Sequence, residues 1–283
     1  MQIHGGTRVF LILGDPIVQV RAPQMFNHLF QRHGVDAVLV PAQVAAADFA
    51  AFVPQVLKAR NIDGLWLTIP HKAAMLPLLD RCDRLGSVAQ AVNAVRRNAD
   101  GSVDGALFDG LGFVKALDFW GFAPAGASAL LVGAGGAGVA IAASLAERGI
   151  ARLALHDRDP ARAEAVAARI HAAWPLEVEV AASADPAGFD LVVNASPLGL
   201  NPDDALPFDP QRIDARAAVV DILMKQTTTP LLRACRARGL RAWPGHEMMI
   251  QQAPEYLAFF GLHELAGALQ EDAAEVRQLL MDT

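Results

Sequence analysis

The sequence predicts an α/β protein with mostly parallel sheets, divided into two domains. Short apolar segments of strand length alternate with longer amphipathic segments, the pattern of strands connected by helices. The 283 residues correspond to about two domains of ordinary size. Because 53% of the residues are hydrophobic, each domain has enough apolar side chains for a core of its own.

Composition excludes several classes of protein. The net charge of −6 argues against nucleic acid as the main partner, since phosphate binding needs clustered positive charge. No run approaches the ~18 consecutive apolar residues of a membrane span, and no export signal is visible at the N-terminus, so a cytoplasmic location is predicted. Cys82 and Cys235 are too few for a disulfide framework and are expected in the core. No Cys/His cluster has metal-ligand spacing, so no metal is predicted.

The strands and helices of the first domain are predicted from its short apolar segments and from the positions of Pro and Gly. Pro23 fits the first turn of a helix, where its missing N–H costs nothing. A second helix is expected at 48–59 and a third just after Pro70, and Asp100-Gly101 predicts a tight turn. The predicted strands are 9–13, 37–40 and 64–68, and the helix that contains Pro23 is 22–32.

The second domain begins with an apolar run at 129–132 that ends at Gly133. A helix is predicted at 137–148, with Gly149 at its C-cap. Further strands are predicted at 152–156, 191–194 and 219–223, and the chain is helical after Trp243-Pro244-Gly245. The segment 264–280 is expected to be one amphipathic helix that covers a core.

A glycine motif predicts a dinucleotide site in the second domain. The motif G-x-G-x-x-G lies directly between a predicted strand and a predicted helix, and comprises Gly133, Gly135, Gly136, Ala137 and Gly138 within 133–138. The N–H groups and the dipole at the start of that helix favour a diphosphate. The alternative is a glycine-rich turn without a nucleotide.

Asp157 bears on which dinucleotide binds. It lies 19 residues after the last glycine, the position of an acid that binds a ribose 2′-hydroxyl. A carboxylate there repels a 2′-phosphate, so NAD is preferred. NADP stays open, because Arg158 and Arg162 lie close by and an arginine can bind that phosphate.

Two residues suggest proton transfer. Lys72 lies at a predicted helix N-terminus, where the dipole disfavours a cation, and a partly desolvated lysine can exchange a proton with a hydroxyl group. Asp109 follows the expected domain junction and could pair with it. From spacing alone, a structural role is favoured over a catalytic one for each of the two residues.

Seven motifs in order resemble the shikimate/quinate dehydrogenase family from about residue 9 to about residue 262. They are Gly14-Asp15-Pro16-Ile17, Thr68-Ile69-Pro70-His71-Lys72, Ala91-Val92-Asn93, Asp109-Gly110, the glycine motif, Asn194-Ala195-Ser196-Pro197-Leu198-Gly199 and Gln252. The resemblance implies an NAD(P)-dependent oxidoreductase of secondary alcohols in aromatic amino acid biosynthesis, with a small-molecule substrate and a monomeric or homodimeric state.

The resemblance also implies domains and residue roles. Residues 1–105 would form a substrate-binding catalytic domain onto which 245–283 pack back, and 106–244 a Rossmann domain. Lys72, oriented by Asp109, would take the hydroxyl proton. Thr68, Asn93 and Gln252 would bind ring hydroxyls. The cofactor set, besides the glycine motif, Asp157 and Arg158, is Asn194, Ser196, Leu198 and Met248.

The departures from the family lie in the expected substrate pocket. Val20 and Ala22 stand where the family has two carboxylate-binding serines, and Trp66 stands where an asparagine is usual. Leu107-Phe108 replaces Asn-Thr before Asp109, and Met224 replaces a tyrosine. Burying an unpaired carboxylate is costly, so these changes predict a cyclic hydroxy or keto compound other than shikimate.

Alternatives remain at this level. Arg21 could bind a carboxylate from another direction, or backbone groups could replace the serines, in which case the chain is a genuine shikimate dehydrogenase. A non-catalytic nucleotide-binding sensor is a further alternative, against which the retention of Lys72 and Asp109 argues. His71 and His246 are interpreted as surface or capping residues.

Overall fold

The computed structural model describes residues 2–201, 203–225 and 227–281, the side chain of Met281 excepted. The chain divides into two compact units. Unit 1 contains the residues up to Phe108 and those from Ala253 onward, and unit 2 runs from Asp109 to Gln252. These divisions lie three and eight residues from the boundaries of 105 and 244 that the sequence suggested. No helix of the described residues is long and apolar enough to cross a bilayer.

Unit 1 contains a mixed sheet, six-stranded among the described residues. In spatial order it is β2-β1-β3-β5-β6-β4, where β1, β2 and β3 are parallel and β5 is antiparallel to both of its neighbours. The bounds are β1 (Arg8–Gly14), β2 (Ala37–Gln43), β3 (Ile62–Leu67), β4 (Arg81–Cys82), β5 (Ala94–Arg97) and β6 (Val103–Ala106).

The sequence missed β4, β5 and β6, but its expectation of a mostly parallel sheet is confirmed, since only β5 runs against the other described strands. The three missed strands are two to four residues long, and polar side chains interrupt their apolar pattern. Asp104 on β6 accepts hydrogen bonds from Arg81 on β4 and Arg96 on β5, so the charges pair across the strands. The predicted turn at Asp100-Gly101 connects β5 to β6.

The helices of unit 1 before the junction are short. α1 buries one face, and His33 follows its last turn. The helix expected after Pro70 is a single turn, α3. The bounds are α1 (Ala22–Arg32), α2 (Phe49–Val56), α3 (His71–Ala74) and α4 (Arg84–Ala89).

Unit 2 contains a fully parallel sheet in the order β12-β11-β10-β7-β8-β9, the strand order of a Rossmann domain. Both faces are covered, which explains why its strands are continuous apolar runs. The strands are β7 (Ser128–Val132), β8 (Arg152–His156), β9 (Val178–Val180), β10 (Leu191–Asn194), β11 (Ala218–Asp221) and β12 (Arg241–Pro244). The sequence analysis predicts no strand at β12, which immediately precedes the predicted helical end of the chain.

The helices of unit 2 pack closely where glycines allow it. A Cβ on Gly110 would lie 2.0 Å from the Ala140 carbonyl oxygen, so α5 and α6 cross in near contact. The helices are α5 (Asp109–Phe119), α6 (Gly136–Glu147), α7 (Pro160–Ala173) and α8 (Pro230–Ala237).

The chain ends in three helices, α9 (His246–Phe259), α10 (His263–Glu271) and α11 (Ala274–Met281). The expectation of one helix over 264–280 is wrong. Asp272 has an extended backbone, and its carboxylate accepts the N–H of Ala274, so one helix ends there and the next begins. The division between the two units falls inside α9.

Two arginines attach the end of α9 to the sheet of unit 1. Arg8 Nη2 donates to the Phe260 carbonyl at 3.0 Å, and Arg96 Nη1 donates to the Phe259 carbonyl at 2.7 Å. Cations near helix C-termini also interact favourably with the dipole. The arginine-lined cavity of about 580 Å³ beside these bonds is therefore interpreted as part of this attachment.

Candidate functional site

The glycine motif of unit 2 forms a tight turn between β7 and α6. Gly133 has φ +107°, a conformation that favours glycine, and its N–H donates to the His156 carbonyl at 2.7 Å. A Cβ on Gly138 would lie 1.9 Å from the Gly133 carbonyl oxygen. By contrast, a Cβ on Gly135 would meet no atom of the described residues within 4 Å. The motif thus has one glycine for the turn, one for packing and one that faces open space.

Open space at Gly135 fits a dinucleotide. Gly135 is the N-cap of α6, and no side chain caps that helix end. Its N–H groups and dipole therefore remain for a diphosphate. Beside them lies a cavity of about 280 Å³ whose lining includes Gly133, Gly135, Asp157, Arg158, Ser196 and Leu198.

Asp157 lies immediately after β8 and has a second role that sequence reasoning missed. One carboxylate oxygen accepts the N–H of Ala134 at 2.8 Å, and the other accepts the N–H of Asp159 at 2.9 Å. Burial opposes ionisation, but these backbone donors, with Arg162 and Arg158 nearby, hold the pKa of Asp157 below its ordinary value. The side chain is therefore an anion that also fastens the glycine turn.

The loop that follows β10 is closed by the side chain of Asn194. Its Nδ2 donates to the Leu198 carbonyl and to Asp221 Oδ1, and its Oδ1 accepts the N–H and the hydroxyl of Ser196. Burial raises the pKa of Asp221, opposed by hydrogen bonds from Thr229, Leu223 and Asn194. Asn194 is thus a buried structural residue, whereas Ser196 and Leu198 line the cavity.

Met248 belongs to the predicted cofactor set, of which Gly136, Ala137, Gly138 and Asn194 also lie outside the described lining of the cavity. Met248 lies in α9, is buried, and its carbonyl oxygen would be 2.4 Å from a Cβ on Gly112 of α5. It is not among the described residues that line the cavity. The contact between Met248 and the cofactor stays a prediction.

In unit 1, backbone hydrogen bonds bring Thr68, Lys72 and Asn93 to one end of the sheet. The N–H of Thr68 donates to the Leu13 carbonyl, and the carbonyl of Lys72 accepts the N–H of Val92, the residue before Asn93. Thr68 and Lys72 are half-buried, and Asn93 is buried. Three residues separated by up to 25 positions in the sequence thus meet where β3 ends.

Asn93 also fixes the end of the chain before the unit boundary. Its Oδ1 accepts the N–H of Phe108 at 2.9 Å, and its carbonyl accepts the N–H of Leu67 and the hydroxyl of Tyr256. The residue therefore connects β3, β6 and α9. Any role in substrate binding would come in addition to this structural one.

Val20 and Ala22 lie at the start of α1, half-buried and without a side-chain donor. No side chain caps α1, and Arg21, its N-cap residue, donates from Nε to Gln24 Oε1 at 3.0 Å. The segment is thus apolar except for Arg21.

Trp66 requires a correction. It was expected in the substrate pocket, but it is 2% exposed and lies in the core of unit 1, stacked on Phe260 at 4.4 Å and on Tyr256 at 5.2 Å. Leu107 is likewise buried. Trp66 and Leu107 therefore change the packing of the core. Of the departures from the family, only Val20, Ala22, Phe108 and Met224 have apolar side chains that are accessible to solvent.

His71 is also corrected, because it is a core residue and not a surface residue. Its Nε2 lies 2.8 Å from the Val44 carbonyl, and its ring stacks on Phe49 with centroids 4.3 Å apart. The sequence offers no periodicity in this short turn from which that burial could have been predicted.

Asp109 and Gln252 lie at the two ends of unit 2. Asp109 is the first residue of α5 and is 7% exposed, and Gln252 in α9 is 8% exposed. A Cβ on Gly112 would lie 2.7 Å from the Cβ of Gln252, so the two helices are in contact one turn from Asp109.

Two further predictions concern metal ligands and the cysteines. Within residues 2–201, 203–225 and 227–281, no group of three or more His, Cys, Asp or Glu side chains is arranged to hold a metal. Cys235 is buried, and burial raises its pKa to about 11, so its thiol is unreactive at neutral pH.

Comparison with known proteins matches these observations. The family model of the shikimate dehydrogenase substrate binding domain matches residues 12–95. The shikimate dehydrogenase (NADP(+)) of Acidiphilium cryptum is 39% identical over 266 residues, which cover 93% of this chain and 94% of that protein.

Solved structures of similar fold include enzymes that are named for different substrates. Quinate dehydrogenase from Corynebacterium glutamicum in complex with NAD has a TM-score of 0.85 at 28% identity and covers 98% of this chain and 99% of its own. The 5-ketofructose reductase of Gluconobacter sp. strain CHM43 has a TM-score of 0.82 at 26% identity, with 95% and 99% covered.

Fold, glycine turn and relatives together define a nicotinamide-dependent oxidoreductase that acts on a CH–OH group. The identity of 39% over nearly the whole length narrows this class. The chain belongs to the shikimate dehydrogenase family.

Proposed function

We propose that this enzyme interconverts a secondary alcohol and a ketone on a cyclic hydroxy acid or related compound, and that shikimate is not its preferred substrate. The observation on which the proposal depends is the start of α1, where Val20 and Ala22 offer no side-chain hydrogen-bond donor. A carboxylate desolvated against these side chains would have lost water without gaining partners.

The family resemblance gives the reacting groups. When bound, the nicotinamide accepts or donates the hydride. Lys72 accepts the proton of the substrate hydroxyl in the oxidative direction, and Asp109 is the second member of the catalytic pair. Thr68 and Asn93 bind substrate hydroxyls beside Lys72, as their common position at the end of β3 supports. Gln252 is proposed to bind a further hydroxyl.

NAD is the proposed cofactor. The ionised Asp157 and the carboxylate of Asp159 both lie near Arg162, at 3.9 and 4.0 Å, and so offset its charge. A 2′-phosphate would meet two carboxylates beside the two arginines, which is unfavourable. The NAD complex of the quinate dehydrogenase agrees with this preference, whereas the relative from Acidiphilium cryptum is named for NADP.

A neutral substrate is consistent with the comparisons. A reductase of 5-ketofructose has the same fold as this chain, so the fold is found with a keto sugar as the named substrate. A keto sugar of that kind has no carboxylate for serines to bind.

A genuine shikimate dehydrogenase is the second candidate. The name of the relative that is 39% identical favours it. In that case Arg21, next to both replaced positions, would be the residue available to bind the carboxylate.

Steady-state assays separate the two candidates. Shikimate, quinate, cyclic polyols and keto sugars are tested with NAD(H) and NADP(H). We expect kcat/KM for shikimate to lie well below ~10⁴ M⁻¹s⁻¹, the lower end for efficient enzymes. The variant Val20→Ser/Ala22→Ser should raise that value about tenfold to a hundredfold, because each hydroxyl adds a hydrogen bond to a charged group.

Val18→Ser is the matched control, since Val18 lies on the same segment but is 90% exposed. It should leave every kcat/KM unchanged. Wild-type kcat/KM for shikimate of ~10⁴ M⁻¹s⁻¹ or more would reject the proposal in favour of the second candidate.

A further inference from the structure

The sheet order of unit 2 predicts which loops face the nicotinamide half of a dinucleotide. The glycine turn follows β7, and Asp157 follows β8 on one side of it. β10 and β11 lie on the other side of β7. A dinucleotide with its diphosphate at the glycine turn and its adenosine ribose at Asp157 must therefore extend its other half over the ends of β10 and β11.

The segment after β10 meets the segment after β11 there. The loop 194–200 begins at Asn194, whose Nδ2 donates to the buried carboxylate of Asp221 at 3.0 Å. Ser196 and Leu198, in the middle of this loop, line the cavity. One end of the loop is thus fixed in the core, and its position sets the shape of the cavity.

The other end of the loop is bound by Lys225. Its ammonium group donates to the Leu200 carbonyl at 2.6 Å and to the Gly199 carbonyl at 3.3 Å. Gly199 has φ +103°, and its N–H donates to Asp204, so the peptide groups at this end have partners on both sides. The backbone here makes few regular contacts, since neither segment is helix or strand.

We propose that Lys225 is a positioning residue that fixes the loop 194–200 against the nicotinamide half of the bound cofactor. The proposal rests on the proposed function only in requiring that a nicotinamide dinucleotide binds. An ammonium group has three donors, and here it donates to two adjacent carbonyls, those of Gly199 and Leu200. Without these hydrogen bonds the loop gains freedom, and binding must then order it.

The role differs from that of a stabilising surface lysine. Lys225 is half-buried and lies outside the core, so its loss should change loop order far more than fold stability. ADP-ribose should sense the change much less, because Lys225 binds the carbonyls of Gly199 and Leu200, whereas Ala195 and Ser196 at the other end of the loop contact the glycine turn.

The test compares two ligands on the intact protein. Dissociation constants are measured by calorimetry for NADH and for ADP-ribose, which lacks the nicotinamide (NADPH and 2′-phospho-ADP-ribose if NADPH binds more tightly). Lys225→Met removes the donors at nearly constant length. It should weaken NADH binding about tenfold, the loss of roughly one charged hydrogen bond, and leave ADP-ribose binding within about twofold.

Two further variants complete the experiment. Lys225→Arg retains donors for two carbonyls and should restore NADH binding to within about threefold of the wild type. Lys58→Met makes the same change of charge in unit 1, where Lys58 contacts Gln55, and should alter neither constant. Equal weakening of both ligands by Lys225→Met, or no weakening of NADH binding, would overturn the proposal.

Binding without turnover separates this proposal from the proposed function. If no alcohol or ketone reacts but Lys225→Met selectively weakens NADH, the proposed substrate chemistry fails and the positioning role stands. If substrates react as proposed but the two ligands weaken together, the positioning role fails alone. A wild-type protein that binds neither ligand rejects both.

Discussion

Lys72 depends on a neighbourhood that backbone hydrogen bonds assemble. The carbonyl of Lys72 accepts from Val92, which places Asn93 next to it, and Thr68 precedes it by four residues. The methyl group of Thr68 is so close to Gly14 that a Cβ there would lie 2.4 Å away. A side chain at position 14 would therefore displace Thr68.

Replacing the Lys72 ammonium should abolish catalysis without loss of cofactor. In Lys72→Met the aliphatic length is nearly kept but no group exchanges the hydroxyl proton, so kcat should fall by about 10²–10⁴ on whichever substrate the screen identifies. NADH binding, measured separately, should stay within about twofold, because the glycine turn lies in the other unit. Lys58→Met serves as the control, and a kcat within tenfold of the wild type would remove Lys72 from the mechanism.

In the turn from β7 into α6, one glycine is required for packing and another is placed for binding. Gly138 is in contact with the backbone of Gly133, whereas Gly135 faces the open side of the helix start. Sequence comparison alone treats both glycines as equivalent parts of one motif.

The two glycines should respond differently to the same substitution. Gly138→Ala forces a methyl group into the Gly133 carbonyl and should lower the free energy of unfolding by about 1–3 kcal/mol or more. Gly135→Ala should leave that free energy almost unchanged but weaken NADH binding at least about tenfold, because the methyl group occupies the approach of the diphosphate. Urea unfolding and calorimetry measure the two effects. If Gly135→Ala binds NADH as tightly as the wild type, the diphosphate does not bind at this helix start.

At the scale of the whole molecule, the two compact units have separate cores and different sheets. The parallel sheet of unit 2 contains the glycine turn, Asp157 and the loop 194–200. A ligand bound there stabilises that unit by mass action, independently of any substrate in unit 1.

NAD should therefore stabilise the two units unequally. At one hundred times its dissociation constant, NAD adds about 2.7 kcal/mol to the unit that binds it. Hydrogen exchange should show the greatest added protection at 133–138 and 194–200, and much less in β1, β2 and β3. Protection spread evenly over both sheets would contradict the assignment of the cofactor to unit 2.

Much of the fold was predictable where one physical signal dominated. The strands 152–156 and 191–194 and the helix 22–32 were predicted with the bounds that the structure shows, because apolar runs and Pro23 mark them clearly. β5 and β6 were missed because their stability comes from partners distant in sequence, such as Asp104 with Arg81. The break at Asp272 was missed because a capping interaction of one residue interrupts an otherwise amphipathic pattern.

The sequence by itself determined the α/β class, the glycine motif with its acid, and the motifs of the family, since each depends on residues near one another in the chain. The tertiary structure decided where those residues lie. It placed Trp66 in an aromatic core and Met248 beneath α5, and it joined Lys225 to Leu200 across 25 residues. Burial and hydrogen bonding between distant segments are properties of the folded chain, and no local pattern specifies them.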